Sequence, residues 1–222
     1  DPVRIPDLIA PIVNQSAQYA KGNRFFEVEA IRRMPKLRIL GNLYLSFFTK
    51  LSTGYWKIFD PTNGFTAIHG RVAALLTSRG IDEGYFFESD MLLHLNLWRA
   101  VVMDVPMKAS YGDERSTLSI PKVVGPFLWK HLRNFMRRIV YSYFIRDFSI
   151  ASVELVVGSL LFVFGVIYGS IHWHESVETG IAEPTGVVVL AAVTFLLGVY
   201  LLIGFLNFDI QNQPENPLHK NL

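Results

Sequence analysis

Apolar residues dominate two long segments in the C-terminal half of the chain. Residues 150–171 and 187–208 each form a run of 22 positions, and Glu154 is the one charged side chain in them. At 1.5 Å per residue, a helix of this length crosses a hydrocarbon core of about 30 Å. The pattern therefore predicts a transmembrane hairpin, residues 150–208, whose two helices are joined by a connector at residues 172–186.

A basic amphipathic segment precedes the hairpin. Over residues 126–146, aromatic and aliphatic side chains alternate with Lys130, Arg133, Arg137 and Arg138. This pattern is typical of a helix that lies in the headgroup layer of a membrane, where cations meet lipid phosphates. It also fits a helix that packs on a soluble domain. We take these four basic residues as the candidate membrane-interface cations.

The first 121 residues alternate short helical and strand-like patterns. Helices are predicted at residues 5–13, 38–52, 71–78 and 86–97, and strands at residues 18–22, 64–69 and 100–106. The helix at 38–52 is apolar enough to be buried. The alternation predicts an α/β fold. A strand, glycine-rich turn and helix for nucleotide binding does not occur here, so we expect a larger polypeptide to supply that part.

Composition and charge exclude several classes of protein. The chain is 50% hydrophobic and 18% charged, which is too apolar for disorder and too charged for a pure membrane bundle. Residues 1–121 hold 14 Lys and Arg against 12 Asp and Glu, so no nucleic-acid partner is indicated. The absence of cysteine excludes disulfides, thiol catalysis and Cys-ligated metal sites.

The charges that flank the apolar segments predict the orientation in the membrane. Basic residues cluster at 122–146, before the first crossing, whereas the connector holds Glu175, Glu178 and Glu183 and no Lys or Arg. We therefore expect a multi-pass protein of the cell (inner) membrane. Its N-terminal part, its interface segment at 122–149 and its tail at 209–222 are expected on the cytoplasmic side.

Four short motifs carry the candidate chemistry. They are KGNR at 21–24, DPTNGF at 60–65, FESD at 87–90 and YGDERS at 111–116. In this order, ahead of the amphipathic segment and the hairpin, they resemble the family 2 glycosyltransferases that act on polyprenyl phosphates. This group includes dolichol-phosphate mannosyltransferase and the bacterial undecaprenyl-phosphate glycosyltransferases.

The resemblance implies both a fold and a reaction. Residues 1–121 would be the C-terminal half of a GT-A type (Rossmann-like) catalytic domain. The reaction would be an inverting transfer of a single sugar from a UDP- or GDP-sugar to polyprenyl phosphate. The partners would be the nucleotide sugar, the polyprenyl phosphate, the lipid bilayer and, as is common in the family, further copies of the chain.

The DPTNGF motif supplies three candidate site residues. By resemblance, Asp60 would orient the acceptor or act as a base, and Asn63 and Gly64 would form a tight turn beneath the sugar. The residues themselves also fit an ordinary turn, because Asp-Pro and Asn-Gly pairs both favour turns.

Two carboxylates at a predicted helix start form the second candidate group. Glu88 and Asp90 would bind sugar hydroxyls or the acceptor by resemblance. Carboxylates in the first turn of a helix also serve as caps and interact favourably with the helix dipole. The sequence leaves both interpretations open.

Phosphate-binding candidates come from the first and last motifs. Arg24 and Arg115 offer guanidinium groups, which meet phosphates in two-pronged geometry, and Ser116 offers a hydroxyl. Arg24 also fits a solvated surface arginine. The 111–116 motif departs from the family loop because its glycine is not in the usual place.

The resemblance places the metal site outside this sequence. The pair Asp1-Pro2 looks like the pair that follows the Asp-x-Asp motif of the family, whose carboxylates hold Mg2+ or Mn2+. The residues at 172–174 (HWH) offer two histidines without a third nearby ligand, which favours an interfacial role over a metal site.

Two other functions fit parts of the pattern. A glycosyltransferase with another lipid or glycan acceptor is one, although the Gln-x-x-Arg-Trp motif of processive synthases is missing. A non-catalytic membrane-anchored module that binds a partner is the other.

Overall fold

The computed structural model describes residues 2–26, 36–60, 63–77, 80–107 and 120–217. In these ranges the helices are α1 (Ile5–Val13), α2 (Lys36–Thr53), α3 (Gly70–Thr77), α4 (Phe87–Leu97), α5 (Ile120–Val140), α6 (Ile150–Thr179) and α7 (Thr185–Gln211). The strands are β1 (Tyr19–Asn23), β2 (Thr66–Ile68) and β3 (Val102–Pro106). A 3-10 turn at Pro2–Arg4 precedes α1, and a π-helical turn at Tyr141–Arg146 follows α5.

The strands form one small mixed sheet in the order β2-β1-β3. β1 runs parallel to β3, with Lys21 opposite Asp104, and antiparallel to β2, with Lys21 opposite Thr66. Because β1 and β3 are parallel, their carboxyl ends meet at the same edge, where α/β sheets commonly bind ligands. The fold is mixed α/β, as predicted.

Both faces of the sheet are covered, because successive strand residues point to opposite faces. Tyr19 joins a core with residues from α3 and α4, including Val72, Leu92 and Leu95. Ala20 packs on the other face with Leu8 of α1 and with Val105. Burial on both sides holds β1 as the fixed central strand of the candidate site.

The chain divides into two compact units. The first comprises Asp1–Tyr141 and Gln213–Leu222, and the second comprises Ser142–Asn212. Among the described residues, α6 and α7 in the second unit are the helices long and apolar enough to cross a membrane. They form the predicted hairpin.

Close backbone contact at glycines joins the two helices of the hairpin. A Cβ atom on Gly165 would lie 2.6 Å from the Phe195 nitrogen, and one on Gly198 would lie 2.4 Å from the Phe162 nitrogen. Side chains at these positions would force the helices apart, so small residues are required here. Glu154, the one charge in the first apolar run, lies beside Gly204 of the partner helix.

The structure corrects three details of the sequence prediction. α2 is not buried all round, because Leu40, Leu43, Tyr44 and Phe47 are each more than half exposed. α5 begins at Ile120, and the last turn of the predicted amphipathic helix is π-helical. Helix α6 continues to Thr179, so the link to α7 is five residues rather than fifteen. Helix α1 has the predicted bounds.

Candidate active site

Five charged side chains gather around the carboxyl ends of β1 and β3. They are Lys21, Arg24, Asp60, Glu88 and Asp104. They come from β1 and the residue after it, the segment before β2, the first turn of α4, and β3. A cluster of three carboxylates and two cations at one edge of a sheet is a candidate binding site for a charged ligand.

The Asp60 carboxylate forms a two-pronged ion pair with Arg24. Arg24 Nε donates to Asp60 Oδ2 at 2.7 Å, and Arg24 Nη2 donates to Asp60 Oδ1 at 3.0 Å. The Arg24 amide also donates to Oδ2 at 3.3 Å. Asp60 is fully buried. Two residues with separate expected roles, acceptor orientation and phosphate binding, are therefore direct partners.

Lys21 occupies the centre of the group. Its ammonium donates to the carbonyl of Asn63, and Asn63 Nδ2 donates to the Gly22 carbonyl at 2.7 Å. Burial lowers the pKa of Lys21 to about 8, against the opposing effect of the charges of Glu88, Asp60 and Asp104. A buried lysine that binds neighbouring backbone holds the Asn63 segment against β1.

Gly22 of the KGNR motif is required for this packing. A Cβ atom there would lie 2.1 Å from Met107 Cε and 2.8 Å from Asn63 Nδ2. A larger residue would force the ends of the Met107 and Asn63 side chains to shift. Gly64 does not adopt a left-handed conformation, and a Cβ on it would lie 4.0 Å from Glu88 Oε1.

Asp104 is a site residue that sequence analysis missed. Its Oδ2 accepts hydrogen bonds from the Phe59 amide at 2.8 Å and from Asn23 Nδ2 at 3.1 Å. Burial raises the pKa of Asp104 to about 6 despite the Phe59 hydrogen bond. A lone carboxylate within an apolar strand (VMDVP) was the feature that could have identified it.

Glu88 and Asp90 face different parts of the molecule. Glu88 interacts electrostatically with Lys21 and Tyr19. Asp90 is buried and accepts hydrogen bonds from Asn134 Nδ2 and from the Asp82 amide, both at 3.0 Å. Helix α4 has no side-chain cap, since its N-cap is Phe86. Neither carboxylate therefore acts as an N-cap. Of the two, Glu88 belongs to the charged group, through its interaction with Lys21.

The remaining candidates of the last motif, Arg115 and Ser116, lie outside the described residues. Their expected role in phosphate binding stays a prediction.

The four candidate membrane-interface cations divide into two pairs. Arg133 and Arg137 are exposed. Lys130 forms an ion pair with Asp82 at 2.6 Å, and Arg138 is buried and donates to the Leu51 carbonyl at 2.8 Å. Lys130 and Arg138 therefore contact other parts of the first unit, whereas Arg133 and Arg137 are exposed.

The outward side of α5 is apolar as well as basic. Leu128, Trp129, Leu132 and Met136 are about half exposed or more, with Trp129 at 67%. α2, which packs against α5, also exposes an apolar stripe, described above. Exposed apolar side chains interleaved with arginines are typical of a lipid-facing surface. Sequence analysis missed the contribution of α2. Its apolar residues indicated burial, but they did not show whether protein or lipid covers them.

His172 at the connector end of the hairpin has more carboxylate neighbours than the sequence suggested. Its Nδ1 lies 3.2 Å from Glu183 and 3.3 Å from Glu175. The potential ligand atoms of these residues lie within 4.8 Å of one another. The statement that no third ligand is near was therefore wrong. One hydrogen bond, between His172 Nδ1 and Glu183 Oε1, and the adjacent Glu175 carboxylate account for the arrangement.

Comparisons with known proteins agree with part of the resemblance. No family model matches the chain. The chain is 30% identical over 112 residues to a UDP-N-acetylglucosamine–dolichyl-phosphate N-acetylglucosaminyltransferase of Methanococcus voltae, across 50% of this chain and 44% of that protein. It is 22% identical over 112 residues to an uncharacterized protein of Methanocaldococcus jannaschii, across 46% of that protein. The chain spans about half the length of the curated relatives it matches.

This similarity supports the resemblance to polyprenyl-phosphate glycosyltransferases. It is a partial match and does not select a subfamily. The two apolar helices agree with association with a membrane.

Proposed function

We propose that the protein carrying this chain is an inverting glycosyltransferase. It moves one sugar from a UDP- or GDP-sugar to polyprenyl phosphate at the cytoplasmic face of the cell membrane. The observation that carries the proposal is the 30% identity over 112 residues with the dolichyl-phosphate N-acetylglucosaminyltransferase. UDP-N-acetylglucosamine is therefore the first donor to test.

The proposed reaction needs positioning more than acid–base chemistry. An oxygen of the acceptor phosphate attacks the anomeric carbon of the sugar from the side opposite the nucleotide. The bond from that carbon to the nucleotide phosphate breaks, and its electron pair leaves with the nucleoside diphosphate. Because the attacking phosphate is already anionic, fixed charges and orientation supply most of the rate enhancement.

The charged group offers residues for these tasks. The guanidinium of Arg24 binds a carboxylate with two hydrogen bonds, and a phosphate accepts the same geometry. We assign Arg24 to the acceptor phosphate. The phosphate would replace Asp60 as the partner of the guanidinium group. Asp60 would then orient the acceptor, and Glu88 would bind sugar hydroxyls, with Asn63 and Gly64 beside it. Arg115 and Ser116 would add contacts to phosphate.

Mg2+ or Mn2+ belongs to the proposal through the resemblance alone. The described carboxylates of the charged group do not fit a metal site as they stand: Asp60 is paired with Arg24, and Asp104 accepts from Phe59 and Asn23. We assign the metal ligands to residues outside this sequence. The steps above therefore use only the side chains of this chain.

The outward surfaces of α2 and α5 support the proposed location. A polyprenyl phosphate presents its phosphate at the headgroup layer of the membrane. A surface that is both basic and apolar binds at the same layer. Arg133 and Arg137 would face the lipid headgroups, beside Trp129. A cytoplasmic location of the first unit follows the positive-inside rule for the basic residues at 122–146.

Replacement of Asp60 tests the assignment of the site. In the full-length protein, Asp60→Asn should lower turnover in sugar transfer at least about 100-fold, because a positioned group of this kind typically contributes that much. Binding of the nucleotide sugar should change little. Asp7→Asn, an exposed carboxylate of α1, is the matched control.

A purely structural role for Asp60 gives a different result. The double variant Asp60→Asn with Arg24→Gln removes both charges of the buried pair and avoids an unpaired cation. If this double variant restored turnover, or if Asp60→Asn alone kept it, Asp60 would not belong to the active site.

A further inference from the structure

Helix α5 packs a polar stripe against the rest of the first unit. His131, Asn134 and Arg138 follow a spacing of three and four residues, which places them on one face of the helix. Their exposed fractions are 3%, 0% and 2%. Buried polar groups of this kind are retained where they make specific hydrogen bonds.

Two residues of the stripe contact the end of α2, and the third contacts α4. Ser52 Oγ lies 2.8 Å from His131 Nδ1, and Arg138 donates to the Leu51 carbonyl at 2.8 Å. Asn134 Nδ2 donates to Asp90 Oδ1 at 3.0 Å. Apolar packing tolerates rotation of a helix about its axis, but directional hydrogen bonds do not. The stripe thereby fixes which side of α5 faces outward.

The contact between Asn134 and Asp90 joins α5 to the first turn of α4. The other oxygen of Asp90, Oδ2, accepts from the Asp82 amide at 3.0 Å. The Asp82 carboxylate in turn pairs with Lys130 of α5 at 2.6 Å. The beginning of α4 is therefore tied to α5 twice, directly through Asn134 and indirectly through Asp82.

The same turn of α4 carries Glu88 toward the charged group. Glu88 precedes Asp90 by two residues and interacts with Lys21, whereas Asp90 faces α5. Backbone hydrogen bonds make one helical turn move as a unit, so a displacement of Asp90 also displaces Glu88.

We propose that Asn134 is a positioning residue for sugar transfer. Through Asp90 it holds Glu88 in place beside Lys21, and it links the seating of α5 on the lipid surface to the arrangement of the active site. The inference rests on the proposed function and adds to it a residue that contacts neither the proposed substrates nor the charged group.

The test uses a swap of the two hydrogen-bonding partners in the full-length protein. Asn134→Asp places two carboxylates together, and Asp90→Asn removes the acceptor charge. The double variant restores a donor–acceptor pair, because Asn at 90 can accept from the Asp82 amide and donate to Asp at 134. Asp7→Asn, an exposed acid-to-amide change in α1 of the same unit, is the matched control.

We expect Asn134→Asp to lower kcat for sugar transfer roughly 10- to 100-fold, the scale of a small misplacement at an active site. Asp90→Asn should cost less, because the Asn134 amide can turn and accept a hydrogen bond from Asn at 90. The KM for the nucleotide sugar should stay near its wild-type value. The double variant should recover kcat to within about threefold of wild type. Recovery of this kind shows that the two residues act as a coupled pair. Thermal unfolding in detergent and binding to liposomes with anionic lipid identify variants that have lost the fold or the membrane contact.

Two results would overturn the proposal. One is an Asn134→Asp variant that folds and keeps the wild-type kcat. The other is a folded double variant with no recovery. A wild-type protein that transfers no sugar to polyprenyl phosphate would instead overturn the proposed function, and the inference that rests on it would end there.

Discussion

At the scale of single residues, the candidate site depends on charges that neutralise one another. Arg24 holds both oxygens of Asp60, and Lys21 lies where it meets the charges of Glu88, Asp60 and Asp104. With three carboxylates and two cations, the group has one excess negative charge when all five are ionised. A ligand phosphate that enters would therefore have to replace Asp60 at Arg24.

The sequence indicated some members of this group and not their pairing. Asp60, Glu88 and Arg24 stood in motifs, and those motifs made them candidates. The Arg24–Asp60 pair spans 36 positions, and the position of Asp104 beside Lys21 depends on the parallel register of β1 and β3. Local patterns do not encode which strands pair, so Asp104 was missed.

The effect of replacing Asp104 on thermal stability is predicted to depend on pH. Its pKa is raised by burial from 3.8 to about 6, so between these values the folded state binds more protons than the unfolded state. Ionisation of Asp104 therefore lowers the stability of the wild-type protein as pH rises from about 4 to 6. Asp104→Asn should gain thermal stability over wild type across that window and keep a constant gain above it.

The measurement is thermal unfolding in detergent at a series of pH values. Asp7→Asn, which removes an exposed carboxylate elsewhere in the first unit, is the control. A difference between Asp104→Asn and wild type that does not vary between pH 4 and 7 would contradict the assigned environment of Asp104.

At the scale of elements, α2 and α5 define the surface that we assign to the membrane. Their buried polar groups contact each other and the rest of the first unit, and several of their apolar side chains are exposed. This is the reverse of a helix on a water-exposed surface. The amphipathic pattern of α5 was predictable from sequence, but its orientation was not, because Lys130 and Arg138 look the same in sequence as Arg133 and Arg137.

His131 makes the contact between α2 and α5 sensitive to acid. Its ring lies among Phe48, Phe86 and Phe127, and burial lowers its pKa to about 4 from 6.5. Between these values the unfolded state binds a proton that the folded state does not. The contribution of His131 to stability is therefore lost as pH falls from about 6.5 to 4, opposite in sign to that of Asp104.

The variant His131→Asn tests this contribution. It should be less stable than wild type at pH 7, because a well-packed ring is removed, but the deficit should shrink as pH falls to 4. His174→Asn replaces an exposed histidine and serves as the control. Unfolding curves with a deficit that stays constant or grows on acidification would contradict the prediction.

At the scale of the whole molecule, the sequence predicted the mixed α/β character and the apolar hairpin. Long apolar runs and helix-period patterns are strong local features, which is why α1, α6 and α7 were found. The mixed order of the three strands was not predicted, because the antiparallel β2 pairing arises from tertiary contacts. The helices of the hairpin also continue past their apolar runs, since polar residues near the connector remain helical.

Sugar transfer to a lipid phosphate can be measured in a single assay. The full-length protein in membranes is incubated with undecaprenyl or dolichyl phosphate and a panel of radiolabelled UDP- and GDP-sugars, beginning with UDP-N-acetylglucosamine. Mg2+ or Mn2+ is added. We predict a lipid-linked monosaccharide from one donor, and its loss in Asp60→Asn. A folded protein that transfers none of the sugars to either lipid would contradict the account and favour a non-catalytic membrane-anchored module.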